Sequence, residues 1–158
     1  MEVTISMKVV VGSDESGLSL KDVLVSYLQE QGIDVVDAGV HDDQPVDYPD
    51  IAFPVAKAVL SGRYDRGILV CGTGIGMSIS ANKVPGIRAA LCHDVYSAER
   101  ARKSNNAQIL TMGARVIGPE TAKSVVHAWL ASEFEDGRST RKVEKIMEGE
   151  SQFREEGA

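Results

Sequence analysis

Short apolar segments and longer segments of helical spacing alternate along this chain. Five short segments rich in Val, Ile, Leu or Ala predict β-strands: Lys8–Val11, Val35–Ala38, Gly67–Val70, Ala89–Cys92 and Ile109–Met112. Longer segments with helical patterning predict helices: Leu18–Gln31, Ile51–Leu60, Gly76–Asn82, Tyr96–Lys103, Thr121–Ser132 and Arg141–Met147. Strands that alternate with helices are typical of the α/β class, so we expect a mostly parallel five-stranded sheet.

The length and composition predict a single globular domain. A chain of 158 residues with 43% hydrophobic and 25% charged residues can bury one core of ordinary size. We expect this domain to span residues 1–158, with a C-terminal helix at about 140–148 and a polar tail at 149–158 that frays. The stretch Gly39–Pro49, rich in Asp and with two prolines, predicts a surface loop.

The charge and the cysteine content narrow the classes of partner. The net charge is −6 and Lys and Arg form no continuous stripe, so nucleic acid is not an expected partner. No stretch reaches the ~18 apolar residues of a membrane span, so we expect no membrane partner. Cys71 and Cys92 are too few for a disulfide framework, and neither has a Cys or His at the spacing of a metal site. These features predict a cytoplasmic protein.

Polar residues follow four of the predicted strands, each at the point where the strand ends. These residues are Asp14 and Glu15, Cys71–Gly76, His93 and Asp94, and Gly113–Arg115. Ligands of open α/β sheets bind at the carboxyl ends of the strands, where loops lead into helices. We therefore expect these side chains to meet in one cleft.

The loop after the third strand contains three alternating glycines. Gly72, Gly74 and Gly76 allow the backbone to curl so that its N–H groups point inward at the start of the next helix, which would hold an anion. The spacing is not that of a dinucleotide-binding loop, and the Lys-Ser/Thr ending of a nucleotide P-loop is missing. Glycine-rich turns that serve only packing are also common, so the spacing alone leaves both interpretations open.

Cys71 stands at the start of this loop and favours a catalytic interpretation. A thiolate is stabilised at a helix N-terminus beside N–H donors, and it can then abstract a proton. The alternative is a buried, inert thiol at a strand end. That interpretation is the one that we give to Cys92, which lies within an apolar strand.

Motifs along nearly the whole chain, from Val10 to about Ile146, resemble the ribose-5-phosphate isomerase B family, which includes the galactose-6-phosphate isomerase subunits. The motifs that carry the resemblance are Gly12-Ser13-Asp14, Asp47-Tyr48-Pro49, Ile68–Gly76, Ala81-Asn82-Lys83, Gly86–Ala89, Tyr96-Ser97-Ala98, Asn105-Asn106, Arg115–Gly118 and Gly137-Arg138. The resemblance implies a Rossmann-like three-layer α/β/α sandwich without a metal or other cofactor. It also implies a homodimer, or a dimer of dimers, whose active sites take residues from both subunits.

The resemblance also implies a mechanism and a set of site residues. Cys71 would be the base that moves a proton between C2 and C1 of a sugar phosphate through an enediolate. The loop Gly72, Thr73, Gly74, Ile75 and Gly76 would hold the oxyanion, with Thr73 relaying a proton between the substrate oxygens. The implied substrate contacts are Asp14 for sugar hydroxyls, Asn105 for the reacting end, and Arg115, Arg138 and Lys142 for the phosphate.

Three positions depart from the family pattern. Glu15, also a candidate substrate contact, and Ser104 stand where ribose-5-phosphate isomerases typically have His, and Lys142 stands at the place of an Arg. The His missing at 104 is the acid that opens the furanose ring. His93, next to Asp94, could bind or protonate substrate instead, although it could equally be a partly exposed loop imidazole.

These features predict an aldose–ketose isomerase of a short sugar phosphate. Because a four-carbon 4-phosphate cannot close a furanose ring, loss of the ring-opening His suggests an erythrulose/erythrose 4-phosphate substrate rather than ribose 5-phosphate. A non-catalytic or partner-dependent subunit, as in galactose-6-phosphate isomerase, is the main alternative, and Cys71 and Thr73 argue against it. Glu15 leaves open an isomerase for unphosphorylated sugars, against which Arg115 and Arg138 argue.

Overall fold

The computed structural model describes residues 6–157, which contain a five-stranded sheet in which every pairing is parallel. The strands are β1 (Lys8–Ser13), β2 (Asp34–Asp37), β3 (Arg66–Cys71), β4 (Ala89–Leu91) and β5 (Ile109–Gly113). Their order across the sheet is β2-β1-β3-β5-β4. The central strand β3 is buried at all six positions, as the apolar segment Gly67–Val70 predicts. Its first residue, Arg66, is buried because its guanidinium donates to the Trp129 and Ser132 carbonyls.

In the described part of the chain, six helices connect or follow these strands. They are α1 (Leu18–Glu30), α2 (Tyr48–Leu60), α3 (Ile75–Asn82), α4 (Val95–Lys103), α5 (Pro119–Leu130) and α6 (Thr140–Gly157), with a short 3-10 turn at Glu15–Gly17. Pro49 and Pro119 stand in the first turns of α2 and α5, where a missing N–H costs no helical hydrogen bond. The Asp94 carboxylate accepts from the Ser97 N–H at 2.7 Å and caps α4.

The sheet buries both faces. Val9, Val11 and Ile68 pack into the core formed with α1, α4 and α5, around Leu24 and Trp129. On the other face, the alternate strand residues pack with α2 and α3; they include Val10 and Leu69, with Val55 and Met77 from the helices. This arrangement confirms the predicted three-layer α/β/α sandwich.

The largest difference from the sequence prediction lies at the C-terminus. The prediction of a polar, fraying tail at 149–158 is wrong for the described part of that segment, because α6 continues to Gly157. Hydrogen bonds hold this extension: the Glu150 carboxylate accepts from the Gly86 N–H at 2.8 Å, and the Arg88 guanidinium lies 3.1 Å from Met147 Sδ. A smaller difference is that α2 begins at Tyr48, within the predicted loop Gly39–Pro49.

Most of α6 lies on the surface of the chain. Of the described residues in this helix, only Val143 is buried, while Ile146 and Phe153 are 51% and 68% exposed. An amphipathic helix usually buries its apolar stripe, so this one is without its full packing partner in a single copy. No helix within residues 6–157 is both long enough and apolar enough to cross a membrane.

Candidate active site

The loops that follow β3 and β5 are joined backbone to backbone. Cys71 and Gly113 are register partners at the carboxyl ends of the two strands. Beyond them, the Ala114 N–H donates to the Cys71 carbonyl at 2.9 Å and the Arg115 N–H donates to the Gly72 carbonyl at 3.0 Å. The exposed Arg115 side chain therefore stands beside the glycine loop, as expected for residues at neighbouring strand ends.

Packing requires glycine at two positions of this loop. Gly74 has a φ of +80°, and a Cβ there would lie 2.7 Å from the Met112 carbonyl carbon. A Cβ at Gly76 would lie 2.3 Å from the ring of Tyr48, in the first turn of α2. The packing interpretation of the glycines thus holds here, and the same packing fixes the loop against the start of α3. Tyr48 packs against this loop, but no role was expected for it from the sequence, although Asp47-Tyr48-Pro49 was one of the motifs that carry the family resemblance.

Cys71 lies directly below the N-terminus of α3. Its side chain is only 4% exposed, and the Gly74 N–H donates to Cys71 Sγ at 3.1 Å. Thr73 is exposed, and its Oγ1 accepts from the Ile75 N–H at 3.2 Å. The first N–H groups of a helix have no partner inside it, so this end of α3 favours negative charge on a ligand oxygen that lies beside it.

Cys92 has different surroundings. It is 3% exposed within the core of the opposite sheet face, and burial, with Asp94 adding to it, raises the pKa of its thiol to about 11. Cys92 is therefore a protonated, packed thiol at neutral pH, in agreement with its expected inert role.

Two carboxylates lie where β1 ends. Asp14 is 7% exposed and accepts from the Gly17 N–H at 3.0 Å; burial raises its pKa, with Glu15 adding to the rise. Glu15 accepts from the Val46 N–H at 3.0 Å, and this bond lowers the pKa of its carboxyl. Arg115 acts electrostatically on both groups, which places all three residues at one end of the sheet.

His93 also reaches this end of the sheet. Its Nε2 accepts from the Gly113 N–H at 2.9 Å, so the ring nitrogen nearest the loop carries no proton. Burial lowers the pKa of His93, and the nearby Asp94 opposes that effect. His93, expected either to bind or protonate substrate or to be a partly exposed loop imidazole, thus accepts a hydrogen bond through Nε2 in this structure.

The remaining predicted contacts lie elsewhere. Asn105, Arg138 and Lys142 line a polar cavity of about 710 Å³ that runs along α4 from Tyr96. Ser104 also lines it, and its Oγ accepts from Arg100 Nε at 2.9 Å. Neither Cys71 nor Arg115 lines this cavity.

The topology explains the separation. The edge strand β4 lies two strand spacings from β3, with β5 between them, at roughly 5 Å per spacing. Helix α4 starts beyond the carboxyl end of β4 and runs back toward the amino end of β5. Asn105 follows this helix and therefore lies about 13 Å farther from the loops than the start of α4 does. One chain therefore brings together Asp14, Glu15, the loop Cys71–Gly76, His93 and Arg115, but not Asn105, Arg138 or Lys142. Within residues 6–157, no group of three His, Cys, Asp or Glu side chains could hold a metal ion.

Known proteins resemble the chain over most of its length. The family model described as Ribose/Galactose Isomerase matches residues 9–146. A D-erythrulose-4-phosphate isomerase of Pectobacterium atrosepticum is 54% identical over 142 residues, covering 89% of this chain and 93% of that protein. A ribose-5-P isomerase B of Listeria innocua is 55% identical, covering 90% and 96%. A solved structure of Clostridium thermocellum ribose-5-phosphate isomerase B superposes with a TM-score of 0.91 at 48% identity, covering 93% and 99%.

Proposed function

The chain belongs to the ribose/galactose isomerase family, and from this premise we propose that it isomerises a four-carbon sugar 4-phosphate in preference to ribose 5-phosphate. Its relatives and structural neighbours make it an aldose–ketose isomerase. The observation that carries the choice of substrate is the serine at position 104, whose hydroxyl accepts a hydrogen bond from Arg100 where an acid would be needed.

Cys71 is the base in this proposal. Its thiolate removes a proton from C1 of the ketose, and the electron pair of that C–H bond forms the C1–C2 double bond of an enediolate. The C2 carbonyl oxygen becomes the oxyanion. The proton then returns to C2 while O1 gives up its own proton to O2 and becomes the aldehyde oxygen. The support for Cys71 is the Gly74 N–H bond to its sulfur. In this scheme Cys71 is a thiolate before the first transfer and after the second, and between them it is a thiol that carries the proton.

The start of α3 stabilises the enediolate in this scheme. N–H groups at a helix N-terminus are fixed before the reaction, so they stabilise developing charge without a cost of reorganisation. Thr73 is exposed beside them and is suited to relay the proton between the substrate oxygens. Asp14 and Arg115, at the same end of the sheet, are the proposed contacts for sugar hydroxyls and phosphate within the same chain.

The substrate preference follows from ring chemistry. A five-carbon sugar 5-phosphate rests mainly as a furanose and must be opened by proton transfer, which favours a placed acid. Serine cannot supply that acid near neutral pH, and His93 already uses Nε2 as an acceptor. A sugar 4-phosphate of four carbons is open from the start, because its O4 is esterified. The two relatives described above bear names of both substrate classes, so the chain's own residues decide the preference.

We include a second copy of the chain in the proposed active site. Asn105, Arg138 and Lys142 line a separate cavity within one chain, so a homodimer would let one copy supply Cys71 and the other the phosphate clamp. The surface beside the Cys71 loop suits such contact, since Ile75, Ile79 and Val95 are all about half exposed there. The unpartnered stripe of α6 adds a further apolar face.

The substrate preference is tested by kcat/KM for erythrulose 4-phosphate and for ribose 5-phosphate. We expect the wild type to prefer the tetrose, and Ser104→His to raise kcat/KM for the pentose selectively. Ser104→Ala is the matched control, because it removes the hydroxyl without adding an acid, and it should leave the ratio unchanged. A wild-type preference for ribose 5-phosphate would reject the tetrose proposal. If the protein is inactive on both sugar phosphates, the result would instead favour the interpretation as a non-catalytic subunit, which the comparisons do not support.

A further inference from the structure

His93 is the side chain whose bonding in the structure differs most from its expected use. The imidazole is partly buried, and Nε2 accepts from the Gly113 N–H at 2.9 Å across twenty residues of sequence. Nε2, which accepts this hydrogen bond, has no proton to give to a substrate, and the one proton of the neutral ring is on Nδ1. The effect of this bond on the site therefore depends on what Gly113 contacts.

Gly113 is packed directly against the catalytic loop. A Cβ at Gly113 would lie 2.6 Å from Thr73 Cα and 2.7 Å from the Gly72 carbonyl oxygen. The two residues that follow it donate their N–H groups to the carbonyls of Cys71 and Gly72. Because Gly113 has no room to move against this loop, whatever fixes its backbone also fixes the backbone of Cys71 and Thr73.

A second link runs from the same strands to the loop. The Cys92 N–H donates to the Thr111 carbonyl at 3.1 Å, and Thr111 Oγ1 donates to the Gly74 carbonyl at 3.0 Å. The ends of β4 and β5 thus hold the glycine loop on its far side from β1. His93 contributes the side-chain bond that joins the end of β4 to the point where β5 becomes a loop.

We propose that His93 is a positioning residue, which holds Cys71 and Thr73 in place through Gly113, and is not the acid that opens a sugar ring. This inference deepens the proposed function and rests on it. Burial supports it, because burial lowers the pKa of His93 and keeps the ring in the neutral form that accepts from Gly113, although Asp94 acts in the opposite direction. The placement of the base governs the rate of proton transfer, so His93 acts on kcat without touching the substrate.

Two substitutions separate the two roles. His93→Ala removes the acceptor, whereas His93→Gln places an amide oxygen at about the reach of Nε2 and cannot act as an acid at neutral pH. We expect His93→Ala to lower kcat by about tenfold or more on both the tetrose and the pentose, with little change in KM, and His93→Gln to restore most of the loss. His127→Gln, on α5, is the matched control and should behave as the wild type.

A ring-opening acid gives a different pattern: His93→Ala would lose activity on the pentose alone, and His93→Gln would not restore it. That pattern would overturn the proposal. So would wild-type kcat in His93→Ala, or a loss of kcat on both substrates that His93→Gln does not restore.

Alkylation of Cys71 by iodoacetamide, followed by mass spectrometry, tests the inference without any substrate. A looser loop exposes this buried thiol, so alkylation should be faster in His93→Ala and return to the wild-type rate in His93→Gln; an unchanged or slower rate would contradict it.

Discussion

The two thiols of this chain are equally buried, yet they differ in what surrounds them. Cys71 is 4% exposed in the core beside α2 and α3, and its sulfur accepts from a backbone N–H at the start of α3. Cys92 is 3% exposed in the core of the other sheet face, where burial raises the pKa of its thiol. At the scale of single residues, the backbone N–H at its sulfur is the feature that supports Cys71, and not Cys92, as the proposed base.

Cys71→Ala should lower kcat by at least ~100-fold, the usual effect of removing a general base. The fold should stay intact, because alanine fits the space that the thiol leaves. Steady-state kinetics with a sugar phosphate, together with circular dichroism, measure both effects. Cys92→Ala is the control: it should keep kcat and lose roughly 1 kcal/mol of stability as a buried truncation. Near wild-type turnover in Cys71→Ala would remove Cys71 from the mechanism.

The position of Cys71 at the start of the glycine loop could be predicted from sequence, because the thiol, the glycines and the helix start are neighbours along the chain. The bonding of His93 could not, since its partner Gly113 is twenty residues away and meets it only after β4 pairs with β5. From the sequence, His93 was expected to be either a substrate contact or a loop imidazole. Neither interpretation included a hydrogen bond from its ring to the backbone at the end of another strand.

Helix α6 shows how an element can be underestimated from its composition. Its residues are mostly polar, and the sequence predicted an end near residue 148. The helix continues because Glu150 binds the Gly86 N–H, and because pairs one turn apart, such as Gln152 and Glu156, add local support. The first of these contacts joins residues 64 positions apart, which local patterns do not report.

Gly149→Ala tests this extension, because Gly149 lies in the interior of α6. A Cβ there would lie 3.7 Å from a Phe153 ring carbon, an ordinary contact. Alanine in a helix interior should raise the free energy of unfolding by about 0.5–1 kcal/mol, as measured by urea denaturation. In contrast, Gly32→Ala should destabilise, since Gly32 has a φ of +78°. No gain from Gly149→Ala would mean that residues 149–157 are not helical in solution.

At the scale of the whole molecule, the candidate site is divided between two regions of the chain. Because loops at the carboxyl ends of parallel strands share one edge of a sheet, the residues after β1, β3, β4 and β5 were expected to lie together, and contacts link them. The place of Arg138 and Lys142 depends on how α6 packs after α5, which no short motif encodes. From the sequence, the expectation of a second subunit came from the family resemblance and from the C-terminal Arg-Lys segment.

Arg138→Ala should chiefly raise KM, because a phosphate is held equally in the ground state and the transition state. Competitive inhibition by inorganic phosphate should weaken by a similar factor. Arg141→Ala is the control: Arg141 is exposed in the first turn of α6, three residues after Arg138, but does not line the cavity, so KM should not change. An unchanged KM in Arg138→Ala would separate this cavity from substrate binding.

The most direct test of a site shared between two copies is subunit complementation. Cys71→Ala and Arg138→Ala proteins are mixed, dissociated and reassembled, and activity is measured at sugar phosphate concentrations well below KM. If each site takes Cys71 from one chain and Arg138 from the other, random pairing leaves about a quarter of the sites with both residues, and activity should rise toward that fraction of wild type. If native mass spectrometry finds mixed dimers but activity stays at the mean of the two separate variants, the shared site is contradicted.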